Sequence, residues 1–254
     1  ETNAISGLKL FINSGFVQAV KAVANSKGRL IVSGIGKSAI IAQKIVATLN
    51  STGTPSVFMH AADAIHGDLG MIQTDDVVMV ISKSGNSPEI KVLAPLVKNF
   101  GNTLIGMVGN TESFLAGNCD IVLNTTVEQE ACPINLAPTS STTAQMVMGD
   151  ALAVALMEMR GFNSDDFAKF HPGGSLGKKL YLRVADLYIH NEKPNVRETA
   201  TLKEVIVEIS KKRLGATAVV NEKNELLGVI TDGDLRRMLE KNSSINDVIA
   251  TQIM

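Results

Sequence analysis

Short β-branched runs alternate with helix-patterned stretches through the first two-thirds of the chain, a texture that predicts βαβ units and a parallel sheet. Five runs read as strands: Arg29 to Ser33, Ser56 to Met59, Val77 to Ser82, Thr103 to Val108 and Ile121 to Thr125. Between them Ile41, Ile45 and Leu49 recur at every fourth position, and Ile90, Leu93 and Val97 make a similar stripe after Pro88, a residue suited to a first helical turn. One helix is expected before the sheet, Leu8 to Ala24, and a long one after it, Ser140 to Arg160, stopped by Gly161. The predicted fold is α/β, a three-layer αβα sandwich on a five-stranded parallel sheet.

The texture changes after Gly173-Gly174, where the polar stretch Asn191-Glu192-Lys193-Pro194 leads into a tail. The tail reads as a helix (Leu202 to Lys212), a strand (Ala218 to Val220), a turn (Asn221 to Asn224), a strand (Leu226 to Ile230) and a helix from Asp232. The expected domains are therefore 1–182 and 183–254, the second a small α+β unit.

With 254 residues, 45% of them hydrophobic, the chain has ample material for a core. A net charge of −1, with no cationic block longer than Lys211-Lys212-Arg213, leaves no footprint for nucleic acid or an anionic membrane. The longest apolar stretch, Met146 to Met159, is broken by Asp150 and Glu158 and falls short of the roughly 20 residues a membrane helix needs. Cys119 and Cys132 lack CxxC spacing and read as reduced thiols of a cytoplasmic protein. A chain that begins Glu1-Thr2-Asn3 shows no signal peptide and is expected to lack its natural start. Small molecules, or further copies of the chain, are the expected partners.

In an open parallel sheet ligands bind outside the carboxyl ends of the strands, so chemistry is sought in the residues that follow each strand. After the first comes Ser33-Gly34-Ile35-Gly36-Lys37-Ser38: glycines that admit close backbone approach, a helix start with free N–H groups, and a cation. That string can hold an anion. A P-loop is excluded because Ile31 stands where Walker A needs glycine. Gly34, Gly36 and Ala39 match the dinucleotide pattern GxGxxA, but Phe58-Met59-His60 offers no carboxylate for a ribose. A plain glycine turn is the third reading.

After the third strand, Ser82-Lys83-Ser84-Gly85-Asn86-Ser87-Pro88-Glu89 makes the stronger phosphate loop, since hydroxyls and helix-start amides can share the oxygens of one phosphate. A simple Ser cap followed by Pro explains Ser87 but not Ser82 and Ser84. A third hydroxyl cluster, Pro138-Thr139-Ser140-Ser141-Thr142-Thr143, opens the long helix. The acid–base candidates are His66, Glu89, Glu130 and His171; each alone has an ordinary structural reading as a cap, surface group or dipole partner. The histidines show no HxxH or HxxxH spacing, so no metal site is expected.

Taken together, Ser33-to-Ser38, Ala64-Ile65-His66-Gly67-Asp68-Leu69-Gly70, Ser82-to-Glu89, Glu130-Ala131-Cys132-Pro133 through Thr143, and Phe170-His171-Pro172-Gly173-Gly174 resemble the arabinose-5-phosphate isomerases. That family joins a sugar isomerase (SIS) domain to a pair of CBS motifs, and the resemblance continues through Gly228-Val229-Ile230-Thr231-Asp232-Gly233-Asp234-Leu235. It implies interconversion of D-arabinose 5-phosphate and D-ribulose 5-phosphate, feeding the pathway to the eight-carbon acid Kdo of bacterial surface polysaccharides. No metal or organic cofactor is implied, and the assembly implied is a homotetramer whose neighbouring subunits complete each site.

The resemblance places catalytic roles on Lys37, His66, Glu89, Glu130 and His171, with Glu130 the expected base and Glu89 its rival. His66 and His171 are expected to open the sugar ring and move protons between oxygens, with His171 serving another chain's pocket; Lys37 is expected to stabilise enediolate or phosphate oxygens. Substrate contacts are expected at Ser33, Gly34, Ser38, Ser82, Ser84, Gly85, Ser87, Thr139, Ser140 and Ser141. Thr231 and Asp234 resemble nucleotide-holding CBS positions. Asn86, where the family tends to an acid, His60-Ala61-Ala62-Asp63 in place of a His-Pro-Gly-Glu-like string, and a single CBS motif are departures from the family pattern. The competing functions are an isomerase of another phosphosugar and a non-catalytic module that senses a sugar phosphate or sugar nucleotide.

Overall fold

The computed structural model describes residues 1–174, 177–178, 183–241 and 247–254. The expected domain boundary after residue 182 lies outside these residues; the chain divides into two compact units, Glu1–Tyr181 and Leu182–Met254.

The first unit runs α1 (Thr2–Gly7), α2 (Ser14–Asn25), β1 (Leu30–Gly34), α3 (Lys37–Ser51), β2 (Ser56–His60), α4 (Ala61–Ala64), β3 (Val77–Ser82), α5 (Pro88–Asn99), β4 (Leu104–Val108), α6 (Phe114–Asn118), β5 (Ile121–Asn124), α7 (Ser140–Arg160) and α8 (Ser164–Phe170). All five strands pair in parallel, in the order β2-β1-β3-β4-β5. Their side chains alternate between two cores, as a strand's period of two requires. Leu30, Val32, Met79, Ile81, Ile105 and Met107 face Ala42, Ile45 and Leu49 of α3 and Met148, Leu152 and Leu156 of α7. Ile31, Val78, Val80, Leu104 and Val108 face Ile90, Leu93 and Val97 of α5. Burial on both faces accounts for the nearly unbroken apolar runs of the central strands.

The expected helix Leu8 to Ala24 is corrected. A 3₁₀ turn (Leu8–Phe11) follows α1, the chain breaks at Ile12, and Asn13 restarts it by accepting a hydrogen bond from the Gly15 amide at 2.9 Å. The short polar Asn side chain competes successfully for the backbone and caps α2. Gly15 is required there, because a Cβ would meet the Val122 carbonyl oxygen at 2.8 Å where α2 crosses β5. The long helix α7 begins and ends where its pattern predicts, with Gly161 left-handed at φ 62°.

The second unit holds α9 (Val184–Tyr188), β6 (Asn195–Arg197), α10 (Leu202–Lys212), β7 (Ala216–Val220), β8 (Leu226–Thr231) and α11 (Asp232–Lys241). β6, a strand not expected from the sequence, pairs in parallel with β7, which pairs antiparallel with β8. Leu202, Val205 and Ile209 of α10 bury against Val219 and Ile230 of this sheet. Among the described residues no helix is long and apolar enough to cross a membrane.

Candidate functional site

Because the strands are parallel, their carboxyl ends share one edge, and the order reverses direction between β1 and β3, so the loops after these two strands diverge and leave a crevice. Both anion loops of the sequence lie at that reversal.

In the first, Ser33 is fully buried at the end of β1 and its hydroxyl has no partner. Gly34 makes the tight turn possible, since a Cβ would come within 3.0 Å of the Ser38 backbone. Gly36, at φ 58°, opens α3, and no side chain caps that helix. The Ala39 amide folds back on the Gly36 carbonyl at 3.1 Å, and Lys37 stands exposed in the first turn. Ser38 Oγ donates to Gln145 Oε1 of α7 at 3.2 Å, a partner that sequence reasoning missed.

The second loop is pinned from within. The Gly85 amide donates to Ser82 Oγ at 3.0 Å, and Gly85 adopts φ 64° with no room for a Cβ, which would lie 2.1 Å from Ser113 Oγ. Ser87 occupies the N-cap position of α5, yet its side chain makes no capping bond and its hydroxyl is buried without a partner. Ser113, by contrast, does cap α6. The cap reading of Ser87 is thus corrected: the residue stands at the cap position, but its buried hydroxyl does not cap the helix. Ser84 is exposed, and Glu89 stands half-buried in the first turn of α5. At the same edge His66 is exposed in the turn after α4, its amide donating to the Asp63 carbonyl at 2.9 Å.

Glu130 is the most constrained acid in the unit. Its side chain is 1% exposed and accepts from Lys83 Nζ at 2.5 Å, Ser141 Oγ at 2.5 Å, the Ser141 amide at 3.1 Å, the Thr139 amide at 2.8 Å and Thr139 Oγ1 at 3.3 Å. Burial pushes its pKa up, but the Lys83 ammonium, the Ser141 hydroxyl and the two amides outweigh burial and bring it down to about 2. Asn135, at φ 53°, accepts from the Glu130 amide at 2.6 Å and fixes the loop that carries it. The donors of Thr139 and Ser141, expected to meet substrate, are spent on this carboxylate; Ser140 is buried beside them. A cavity of about 420 Å³ adjoins the loop, lined by Glu130, Ala131 and Ser140 together with Asn3, Gly7 and Phe11. It includes neither Lys37 nor His66 nor the Ser82–Glu89 loop.

His171 is not brought to this edge. Its ring stacks on Phe167, with centroids 3.8 Å apart, and its Nδ1 lies 2.8 Å from the Phe167 carbonyl oxygen. Phe170 and Phe162 stack beside Gly53, and Arg160 donates to the Gly53 carbonyl at 2.9 Å, all before the start of β2. The end of α8 thus packs at the amino ends of the strands, whereas Ser140 and Glu130 lie at the other end of α7, a helix of 21 residues and so about 30 Å long. In the second unit, Thr231 and Asp234 satisfy each other: Thr231 Oγ1 donates to Asp234 Oδ2 at 2.6 Å, and the Asp234 amide returns to Thr231 Oγ1 at 3.3 Å. The Thr231 hydroxyl, the Thr231 amide at 2.9 Å and the Arg237 guanidinium hold the Asp234 carboxyl down at about 2. Among the described residues no cluster of three His, Cys, Asp or Glu is placed to hold a metal ion.

Residues 23–155 match the SIS domain family and residues 184–241 the CBS domain family. Arabinose 5-phosphate isomerase KdsD of Pseudomonas aeruginosa is 49% identical over 255 aligned positions, which cover 100% of this chain and 78% of that protein. Arabinose 5-phosphate isomerase KpsF of Escherichia coli O6:H1 is 48% identical over the same shares. Among solved structures, a protein of E. coli CFT073 in complex with arabinose 5-phosphate superposes with a TM-score of 0.63 at 42% identity, covering 67% of this chain and 93% of the other.

Proposed function

The chain belongs to the arabinose 5-phosphate isomerase family, SIS domain followed by CBS domain, and on that premise we propose that it interconverts D-arabinose 5-phosphate and D-ribulose 5-phosphate. The observation that carries this reading is similarity along the whole of this chain, paired with a carboxyl edge that bears two phosphate-type loops and candidate acid–base groups. The reaction removes the C2 proton of the aldose, forms an enediol across C1 and C2, and returns a proton to C1. The O2 proton leaves while O1 gains one, so the net change is zero.

The phosphate is assigned to the Ser82–Ser87 loop, where the unpartnered Ser87 hydroxyl and the α5 amides meet its oxygens, with Ser33, Gly34, Ser38 and Lys37 holding the sugar end. Glu130 is our base for carbon, with Glu89 the rival. A carboxylate held near pKa 2 is a weak base, so the role requires part of its clamp to be released on binding. His66 moves protons between oxygens. His171 is assigned to a neighbouring subunit's crevice within a homotetramer, a reading supported by its place at the far end of α7. A nucleotide contact at Thr231 and Asp234 would have to open their closed pair.

We place the enzyme in the cytoplasm, supplying Kdo synthesis, since its phosphorylated substrate does not cross membranes unaided and Cys119 and Cys132 are free. The test is conversion of arabinose 5-phosphate by the purified chain with and without a chelator. Tight binding without conversion would favour a sensing module instead.

A further inference from the structure

Lys83 has no part in the expected site, yet it stands inside the phosphate loop and holds the proposed base. Its Nζ lies 2.5 Å from Glu130 Oε1, while 45% of its side chain is exposed. Its backbone is anchored independently: the Lys83 carbonyl accepts from the Gly109 amide at 3.1 Å, and the glycine makes room for the stem, since a Cβ there would meet Lys83 Cγ at 3.3 Å.

We propose that Lys83 is a positioning residue that senses the substrate's phosphate: it clamps Glu130 until a phosphate dianion on the Ser82–Ser87 loop draws its ammonium away. The inference rests on the phosphate assignment made above. Two anions compete for one cation, and the phosphate carries roughly twice the charge of the carboxylate near neutral pH. Glu130 loses one of five donors in the exchange and keeps Ser141 Oγ, both amides and Thr139 Oγ1, so no buried acceptor is orphaned. A lysine head on a flexible, half-solvated stem can exchange partners with little rearrangement. Lys83 is the only charged group bonded to Glu130 among the described residues; its other partners are hydroxyls and amides. Its departure strengthens the base at the moment the substrate arrives, so that binding energy from a non-reacting part of the substrate is used at the reacting carbon.

The test is carboxyl-¹³C NMR of protein labelled at glutamate, with the Glu130 signal assigned by its loss in Glu130→Gln, titrated with inorganic phosphate at neutral pH. The Glu130 signal is expected to shift along the phosphate binding curve measured by calorimetry. In Lys83→Met it should start displaced and not move further. Kinetically, Lys83→Met should raise KM for the sugar phosphate about 10-fold with kcat changed less than about threefold, and Lys83→Arg should recover most of KM. Phosphate that binds while the wild-type Glu130 signal stays still overturns the proposal but leaves the loop assignment standing. Phosphate affinity unaffected by Ser84→Ala with Ser87→Ala overturns both. A 100-fold loss of kcat at unchanged KM in Lys83→Met would show that Lys83 stays on Glu130 through the chemistry, and would also overturn it.

Discussion

Glu130→Gln tests the energetics of the site without any substrate. The carboxylate is 1% exposed; burial pushes its pKa up, but Lys83, the Ser141 hydroxyl and the Thr139 and Ser141 amides outweigh burial and lower it from 4.5 to about 2. A folded-state pKa below the unfolded value means that the contribution is fully present above about pH 4.5 and is lost as pH falls toward 2. Each pH unit of lowering is worth about 1.4 kcal/mol, so the ionised group contributes roughly 2–3 kcal/mol once solvent around the half-exposed Lys83 is allowed for. Urea unfolding of wild type and variant in parallel, followed by a signal from the SIS unit, should show that difference at pH 7 and its shrinkage between pH 4.5 and the lowest pH at which both fold. A difference that is constant across this range would refute the reasoning, because a neutral packing defect does not titrate.

The same variant should lose about 10²–10⁴ in kcat if Glu130 is the base, whereas Glu89→Gln should lose less; near-normal turnover in Glu130→Gln makes Glu89 the base. Gly85→Ala should destabilise the SIS unit by about 1–3 kcal/mol and raise KM, because φ 64° and the Ser113 side chain both oppose a Cβ; an unchanged melting temperature would contradict this. Co-producing His171→Ala with Glu130→Gln, each inactive alone, should restore about a quarter of the sites if subunits share them, and none if each chain is self-contained.

Sheet, layers and the long helix were legible because strand burial on both faces writes itself as apolar runs, and because Gly161 and Pro88 punctuate helices at positions where the backbone requires them. The break at Ile12-Asn13 was not: apolar residues continue across it, and the Asn13 cap competes locally with a pattern that still looks helical. β6 was hidden by its composition, since Asn195 and Arg197 flank one buried valine at an edge where only Val196 packs inward. Within the site, the loops at β1 and β3 could be read from glycines and hydroxyls alone. The loss of Thr139 and Ser141 to Glu130 could not, because the pairing spans a loop whose fold depends on Asn135. Lys83 lay in plain view inside the Ser82-to-Glu89 string, but only its contact with Glu130 separates it from any solvated lysine.

The most direct test of the central claim is the reaction run in D₂O with a chelator present. The account predicts conversion to ribulose 5-phosphate with solvent deuterium entering at C1, and at C2 of recovered arabinose 5-phosphate, as protonated Glu130 exchanges with solvent during the lifetime of the enediol. Arabinose 5-phosphate that binds with neither conversion nor exchange would contradict the isomerase itself.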